Sequence, residues 1–230
     1  SILIILQILA FRSLIRVHIY EWLHENSPKN LKETLINAIE VSPHNPQTVY
    51  IATTRYKFND HTPAIYKSTN YGKNWINISN GISKGDFTRV VREDPFRKNL
   101  LYAGTQNGLY VSWDGGLNWS KLKLNFPVVP ITDIIIKNND LVIATQGRAF
   151  WILDDLNLLR QYDGNNKTGK LFVPKKTIIP NWYSPLNNNK SSGTDLLQGV
   201  NPASGMVIYY NLPKLPKETL IKFDLSIPFA

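Results

Sequence analysis

From residue 31 onward the apolar positions fall into short runs, each closed off by Asn, Pro, Gly, Asp or Lys. Three stretches open alike: Ile36–Pro43, Phe87–Pro95 and Ile131–Ile136. A turn and a second run follow each of them, at Thr48–Thr53, Leu100–Thr105 and Leu141–Thr145. The first two units then supply a third run, Ala64–Ser68 and Gly108–Ser112, and a fourth that begins at Trp75 and Trp119. Runs this short, separated by turn residues, predict strands, and four per unit is the pattern of a propeller blade. Ser68 and Ser112 set the period at about 44 residues.

Between the third and fourth runs lies the most specific feature of the chain. Ser112-Trp113-Asp114-Gly115-Gly116-Leu117-Asn118-Trp119 repeats Ser68-Thr69-Asn70-Tyr71-Gly72-Lys73-Asn74-Trp75 as S-x-[D/N]-x-G-x-x-W. The physics is local. A short acid or amide bonds the turn's own N–H groups, glycine supplies positive φ, and hydroxyl and indole fasten the turn to its sheet. The motif resembles the Asp-box of BNR-repeat propellers, found in sialidases, sortilin-type receptors and many bacterial extracytoplasmic proteins. The structural set is then Ser68, Asn70, Gly72, Trp75, Ser112, Asp114, Gly116 and Trp119.

The resemblance runs from about Leu31 to Gln161, to the terminal blades of bacterial propellers of the sortilin-like, "glycosyl hydrolase" kind. Arg89–Pro95, Leu101–Thr105 and Thr145–Leu156 carry it. Asn70 stands where the box has Asp, and the third unit has no box. Trp22 precedes Ile36 as a box tryptophan would, but no Ser, Asp or Gly stands before it where a box needs them. The resemblance implies an extracytoplasmic, bacterial setting. It also implies that the tail opens the β-sandwich module that follows the propeller.

In an antiparallel four-stranded blade, the turns joining strands one to two and three to four share one end. The boxes therefore sit away from the loops that usually carry a propeller's ligand, and Asp114 reads as structural. At the other end lie Thr53–Pro63, Gln106-Asn107 and Gln146-Gly147-Arg148. The first is long: Tyr50 to Tyr66 is sixteen residues, against eight from Tyr102 to Tyr110. That insertion either binds a ligand or packs on a neighbour. The binding candidates are Arg55, Tyr56, Lys57, Asp60, His61, Arg89, Gln106, Gln146 and Arg148. Arg89, Arg92 and Arg148 are suited to holding a carboxylate or phosphate, or to pairing with Glu93, Asp94 or Asp133 inside the propeller. A sialidase would need clustered arginines, a Tyr nucleophile with its base, and an acid. Nothing in the spacing of Arg55, Tyr56, Asp60, Arg89 and Arg148 demands those roles.

Other chemistries find no support. G-x-S-x-G, the P-loop and H-E-x-x-H are absent, and the four histidines (His18, His24, His44, His61) are scattered, so no metal and no cofactor is expected. Without cysteine there is no disulfide framework and no thiolate nucleophile. With 43% apolar and 19% charged residues the chain has enough apolar material for a core. The net charge of +9 is spread without a block of like charges, so a nucleic-acid partner is not expected. Three sequons, at Asn77, Asn118 and Asn166, mean little in a bacterial protein. Ser1–Phe11 is apolar but too short for a stable membrane span. It fits a signal remnant, a buried element or an unrelated segment.

The fold expected is all-β: about three four-stranded blades of a partial β-propeller, a linker, and the first strands of a β-sandwich. The divisions are 1–30, an atypical apolar segment; 31–161, the blades; 162–198, the linker; and 199–230, where Met206–Tyr210 and Ile221–Ile227 read as strands. Three blades do not close a ring of roughly four to eight, so the chain is expected to be a piece of a larger protein. Its partners would be further blades and a peptide, glycan or protein ligand. A non-catalytic binding propeller is the first reading. A sialidase-like glycoside hydrolase, with most of its catalytic residues elsewhere, is the alternative.

Overall fold

The computed structural model describes residues 34–123, 125–164, 169–176 and 207–213. The segment 1–30, Trp22, the strand expected at Ile221–Ile227 and most of the linker lie outside them. The chain divides into two compact units, residues 1–163 and 164–230.

The first unit is a partial β-propeller, with each blade an antiparallel meander. Blade one is β1 (Leu35–Val41), β2 (Val49–Arg55), β3 (Asp60–Ser68) and β4 (Ile76–Asn77), paired in that order. Blade two repeats it with β5 (Thr88–Glu93), β6 (Leu101–Thr105), β7 (Gly108–Ser112) and β8 (Ser120–Lys121). Blade three has three strands among the described residues: β9 (Ile131–Lys137), β10 (Asp140–Thr145) and β11 (Phe150–Leu153). After β11 the chain turns at Asp155 into a short helix, α1 (Asn157–Gln161), which the sequence pattern had not predicted.

The middle strands explain why the apolar runs are continuous. Every residue of β6 and β7 is buried, because a blade is covered on both faces by its neighbours. Between blades one and two lie Tyr50, Ile65, Val91, Leu101, Tyr110 and Trp119. Between blades two and three lie Val90, Tyr102, Leu109, Ile134, Leu141 and Ile143. Close approach needs one missing side chain: a Cβ on Gly104 would stand 2.5 Å from Cγ2 of Ile131 and 2.6 Å from Cγ1 of Val90.

The first strands share an irregularity. The β1–β2 ladder slips between Ile36 and Ala38, the β5–β6 ladder between Thr88 and Val90, and the β9–β10 ladder at Ile131 and Asp133. One extra residue bulges out each time, Asn37, Arg89 and Thr132 in turn.

The two S-x-[D/N]-x-G-x-x-W hairpins close as their chemistry requires. Ser112 Oγ donates to Asp114 Oδ1 at 2.7 Å and accepts from Gly116 N at 2.9 Å. Asp114 Oδ1 also accepts from Asn118 N at 2.9 Å. Asn70 does the same with an amide oxygen, accepting from Ser68 Oγ at 3.0 Å and Asn74 N at 2.9 Å. The exit from blade three is latched across blade two. Arg160 Nε reaches both oxygens of Asp94 (2.9 and 3.1 Å), Trp113 Nε1 donates to Leu159 O at 3.1 Å, and Arg97 Nη1 donates to the carbonyls of Leu159, Arg160 and Tyr162.

In the second unit β12 (Lys170–Leu171) pairs antiparallel with β13 (Tyr210–Asn211), and Phe172 is buried beside them. A strand thus occupies Lys170–Leu171, within the stretch expected to be linker. Of the run Met206–Tyr210, only Tyr210 is in a strand among the described residues.

Candidate functional site

The insertion of blade one is not a loop over most of its length. β2 continues to Arg55 and β3 starts at Asp60, and these two residues pair in the ladder. Only Tyr56–Phe58 forms a tip, a single 3-10 turn that Asn59 ends in the left-handed region at φ 57°. The extra residues lengthen a hairpin and carry an aromatic and basic tip beyond the blade.

That tip meets the start of blade two. Tyr56 stacks on Phe87 with ring centroids 5.5 Å apart and planes 16° off parallel. His61 lies 5.7 Å from the same ring, and the Arg89 guanidinium sits over it at 5.2 Å. The bulge explains how Arg89 gets there, since an extra residue in the ladder re-aims its side chain. Its Nε and Nη2 both donate to Oε1 of Gln106, at 3.1 and 2.8 Å. Gln106 is positioned by its own N–H, which donates to Phe87 O at 3.1 Å.

Around this centre Tyr56 is 43% and Phe58 59% exposed, a large apolar area for a hairpin tip. Arg55 lies 5.8 Å over the Phe58 ring and 3.8 Å from Asp60. Lys57 is exposed at the tip. Asp60 is held below the ordinary carboxyl pKa by hydrogen bonds from the Thr62 side chain and N–H, with Arg55 and His61 adding to the effect. The surface therefore carries exposed rings and three cations, Arg55, Lys57 and Arg89, the last held by Gln106, against one carboxylate. Such a surface fits anionic or aromatic-stacking ligands.

Seven of the nine candidates are thus in one neighbourhood. Gln146 and Arg148 are on the β10–β11 turn of blade three, both exposed. Gln146 N–H donates to Pro130 O, and Arg148 O accepts from Trp151 Nε1 at 2.9 Å. No hydrogen bond, ion pair or ring contact joins them to the hairpin cluster among the described residues. Arg92 is committed elsewhere: Nη2 reaches Asp133 Oδ1 at 2.7 Å, Nε donates to Ile134 O at 2.9 Å, and Nη1 lies 3.7 Å from Glu40. One guanidinium so ties three blades together.

Phe87 and Phe58 were missed by the sequence reading. Phe87 stood there only as the opening of an apolar run, yet its ring is the platform. The visible clue is position: it immediately precedes the bulged first strand and the arginine that covers it.

No family model and no curated protein matches the chain. Solved structures do resemble it. An ancestral GH74 enzyme is 23% identical with a TM-score of 0.40, over 49% of this chain and 14% of that one. The GH74 enzyme of Niastella koreensis is 21% identical, TM-score 0.42, over 52% of this chain and 21% of that one. YCF48 bound to D1 peptide is 14% identical, TM-score 0.39, over 53% and 37% respectively. The chain therefore matches well under half the length of each. The propeller itself is established by the chain's own sheets, bulges and interblade cores.

Proposed function

We propose that residues 31–161 are blades of a non-catalytic, ligand-binding β-propeller of the BNR-repeat, sortilin-like kind, with Asp-boxes at Ser68–Trp75 and Ser112–Trp119. The linker 162–198 and a β-sandwich module starting near 199 follow in this reading, and the protein works outside the bacterial cytoplasm. The ligand is an acidic peptide or protein segment that lies along the Tyr56–Phe58 tip. The observation that carries this reading is the bulge-aimed Arg89, held by Gln106 over the Phe87 ring beside two more cations. Aromatic surface supplies contact area, and fixed guanidinium groups take carboxylates.

A glycoside hydrolase of the two-carboxylate kind would need a second carboxylate facing the first, about 5 Å away for retention and roughly 6.5–9.5 Å for inversion, whereas a sialidase would need a Tyr nucleophile with its base, an acid and clustered arginines. On this surface the half-buried Asp60, paired with Arg55, is the one acid in contact with the tip among the described residues. Asp86, next to Phe87 in the chain, is buried and accepts from Asn107 N at 2.9 Å and Tyr110 OH at 3.0 Å.

The test is fluorescence anisotropy of labelled acidic peptides against sequence-scrambled neutral ones, on the whole chain. Arg89→Ala is expected to weaken the acidic peptide about tenfold or more, as loss of a charge-assisted contact does. Equal binding of neutral and acidic peptides would overturn the ligand assignment. Turnover of a chromogenic glycoside, lost in Asp60→Asn, would overturn the non-catalytic reading.

A further inference from the structure

At the opposite end of the blades a cavity of about 270 Å³ lies among the three first strands. Its polar lining is Glu40 of β1, Arg92 and Glu93 of β5, and Asp133 of β9. Among the described residues the lining sets one cation, Arg92, against three acids, within a chain of net charge +9. Pro43, Pro95 and Ile135 supply apolar wall. Pro43 and Pro95 belong to the β1–β2 and β5–β6 turns, so the cavity is remote from the Tyr56–Phe58 tip.

The acids alone would be only a cluster. Glu93 adds a separate fact. The residue is 3% exposed, and its Oε1 accepts from Asn99 N at 3.0 Å. Its Oε2 is buried without a hydrogen-bond partner. A buried carboxylate oxygen left this way is costly unless a donor reaches it. Arg92 does not, because its hydrogen bonds go to Asp133 and to the carbonyls of Ile134 and Val91. The negative field is also felt by Tyr50: burial first, then the charges of Glu93 and Glu40, push its hydroxyl pKa well up.

We infer that this cavity receives an alkylammonium group, the side chain of a lysine presented by a partner. One free oxygen suits a point-charge donor. A guanidinium's planar fork would have to share Oε1 with the Asn99 N–H, whereas a single ammonium needs only the oxygen that lacks a donor. The volume falls just short of the roughly 300–1,000 Å³ of drug-sized ligand sites, which fits one side chain with its stem on the prolines and Ile135. A free diamine carries the same ammonium chemistry and is the rival that the cadaverine arm below separates. A divalent metal is disfavoured, since no three His, Cys, Asp or Glu among the described residues are grouped to hold one. This site is independent of the acidic-peptide surface.

The experiment titrates the whole chain with Nα-acetyl-lysine methylamide, following the Asn99 amide by NMR. The arginine and norleucine analogues and cadaverine serve as separate arms. Saturable one-to-one binding by the lysine amide is expected, with the arginine and norleucine amides at least about tenfold weaker. Glu93→Gln, which keeps the acceptor for Asn99, should weaken it by about tenfold or more, whereas Arg89→Ala should leave it unchanged. Should Glu93→Gln fail to fold, Ile135→Lys decides, because an ammonium anchored at the exposed rim would fill the cavity and abolish binding. The inference is overturned if norleucine amide binds as well, if no saturation is seen, or if the cavity variant tested binds like wild type. Tighter binding of cadaverine would overturn the assignment to a lysine side chain.

Discussion

The hairpins at Ser68–Trp75 and Ser112–Trp119 are nearly the same object locally and differ in what their tryptophans do. Trp119 is 4% exposed, packs between blades one and two, and donates from Nε1 to Ile78 O at 2.6 Å. Its own N–H donates to Asn80 O at 2.9 Å, so it is tied to the preceding blade twice. Trp75 is half-buried on the other face of blade one, beside Val49, Ile51 and Tyr66. Its Nε1 is buried with no hydrogen-bond partner among the described residues. The turn is thus a local product of Ser, Asp or Asn, and Gly. The tryptophan is an interblade fastener whose worth depends on the blade it meets.

The largest effect that tests this is truncation. Trp119→Ala should cost about 3–5 kcal/mol, the range for a fully packed aromatic, while Trp75→Ala costs clearly less; urea midpoints at constant m-value give both. Equal losses would break the comparison. Gly116→Ala comes next. Its φ is +95° and a Cβ would stand 2.4 Å from Cδ1 of Ile78, so about 2–3 kcal/mol is expected from strain and overpacking. Gly147→Ala has a left-handed φ of +88° but open space around it, and should lose only about 1 kcal/mol.

Replacing indole by phenyl isolates the nitrogen. Trp119→Phe leaves Ile78 O without its donor and should cost about 1–3 kcal/mol, whereas Trp75→Phe removes an unmet donor and should cost less or stabilise. The smallest effect concerns Asp114. Burial works against its ionisation, but hydrogen bonds from Asn118 N–H, the Asn118 side chain and Ser112 outweigh this and hold its pKa below 3.8. Ionised Asp114 therefore stabilises the fold fully above pH 3.8, and that contribution goes as pH falls from there through the folded value. Asp114→Asn should cost under about 1 kcal/mol at pH 7, because Asn70 keeps the equivalent bonds, and its stability should depend less on acid below pH 4.

The blades were legible in the sequence because each strand is buried on both faces, which writes the apolar run directly into the chain. The hairpins were legible because the bonds that Ser, Asp or Asn, and Gly make to close each turn lie within eight residues. Long-range side-chain choices were not. That Arg92 pairs with Asp133, that Glu93 bonds the Asn99 amide and no arginine, and that Phe87 serves as a platform depend on which neighbour the sheet twist brings near. α1 was missed because it is five residues long and is held by Asp94, Arg97 and Trp113 of another blade, with little helical periodicity of its own. The insertion was seen by counting, but its form as a lengthened hairpin required the Arg55–Asp60 pair.

The recurring bulge sets aside one position per repeat, held at 37, 89 and 132 by Asn, Arg and Thr, that owes nothing to the ladder. Such positions are a lineage's spare letters. Their side chains can differ from repeat to repeat while the ladder pairs on either side stay the same. Asn37 is spent on a carbonyl of the next blade, donating to Thr88 O, and Thr132 on Ala144 O of its own blade. Arg89 alone of the three turns to the rim. The same place in the strand thus fastens the sheet in two repeats and, under the function proposed above, meets the ligand in the third, so ligand choice there can change without touching a ladder pair.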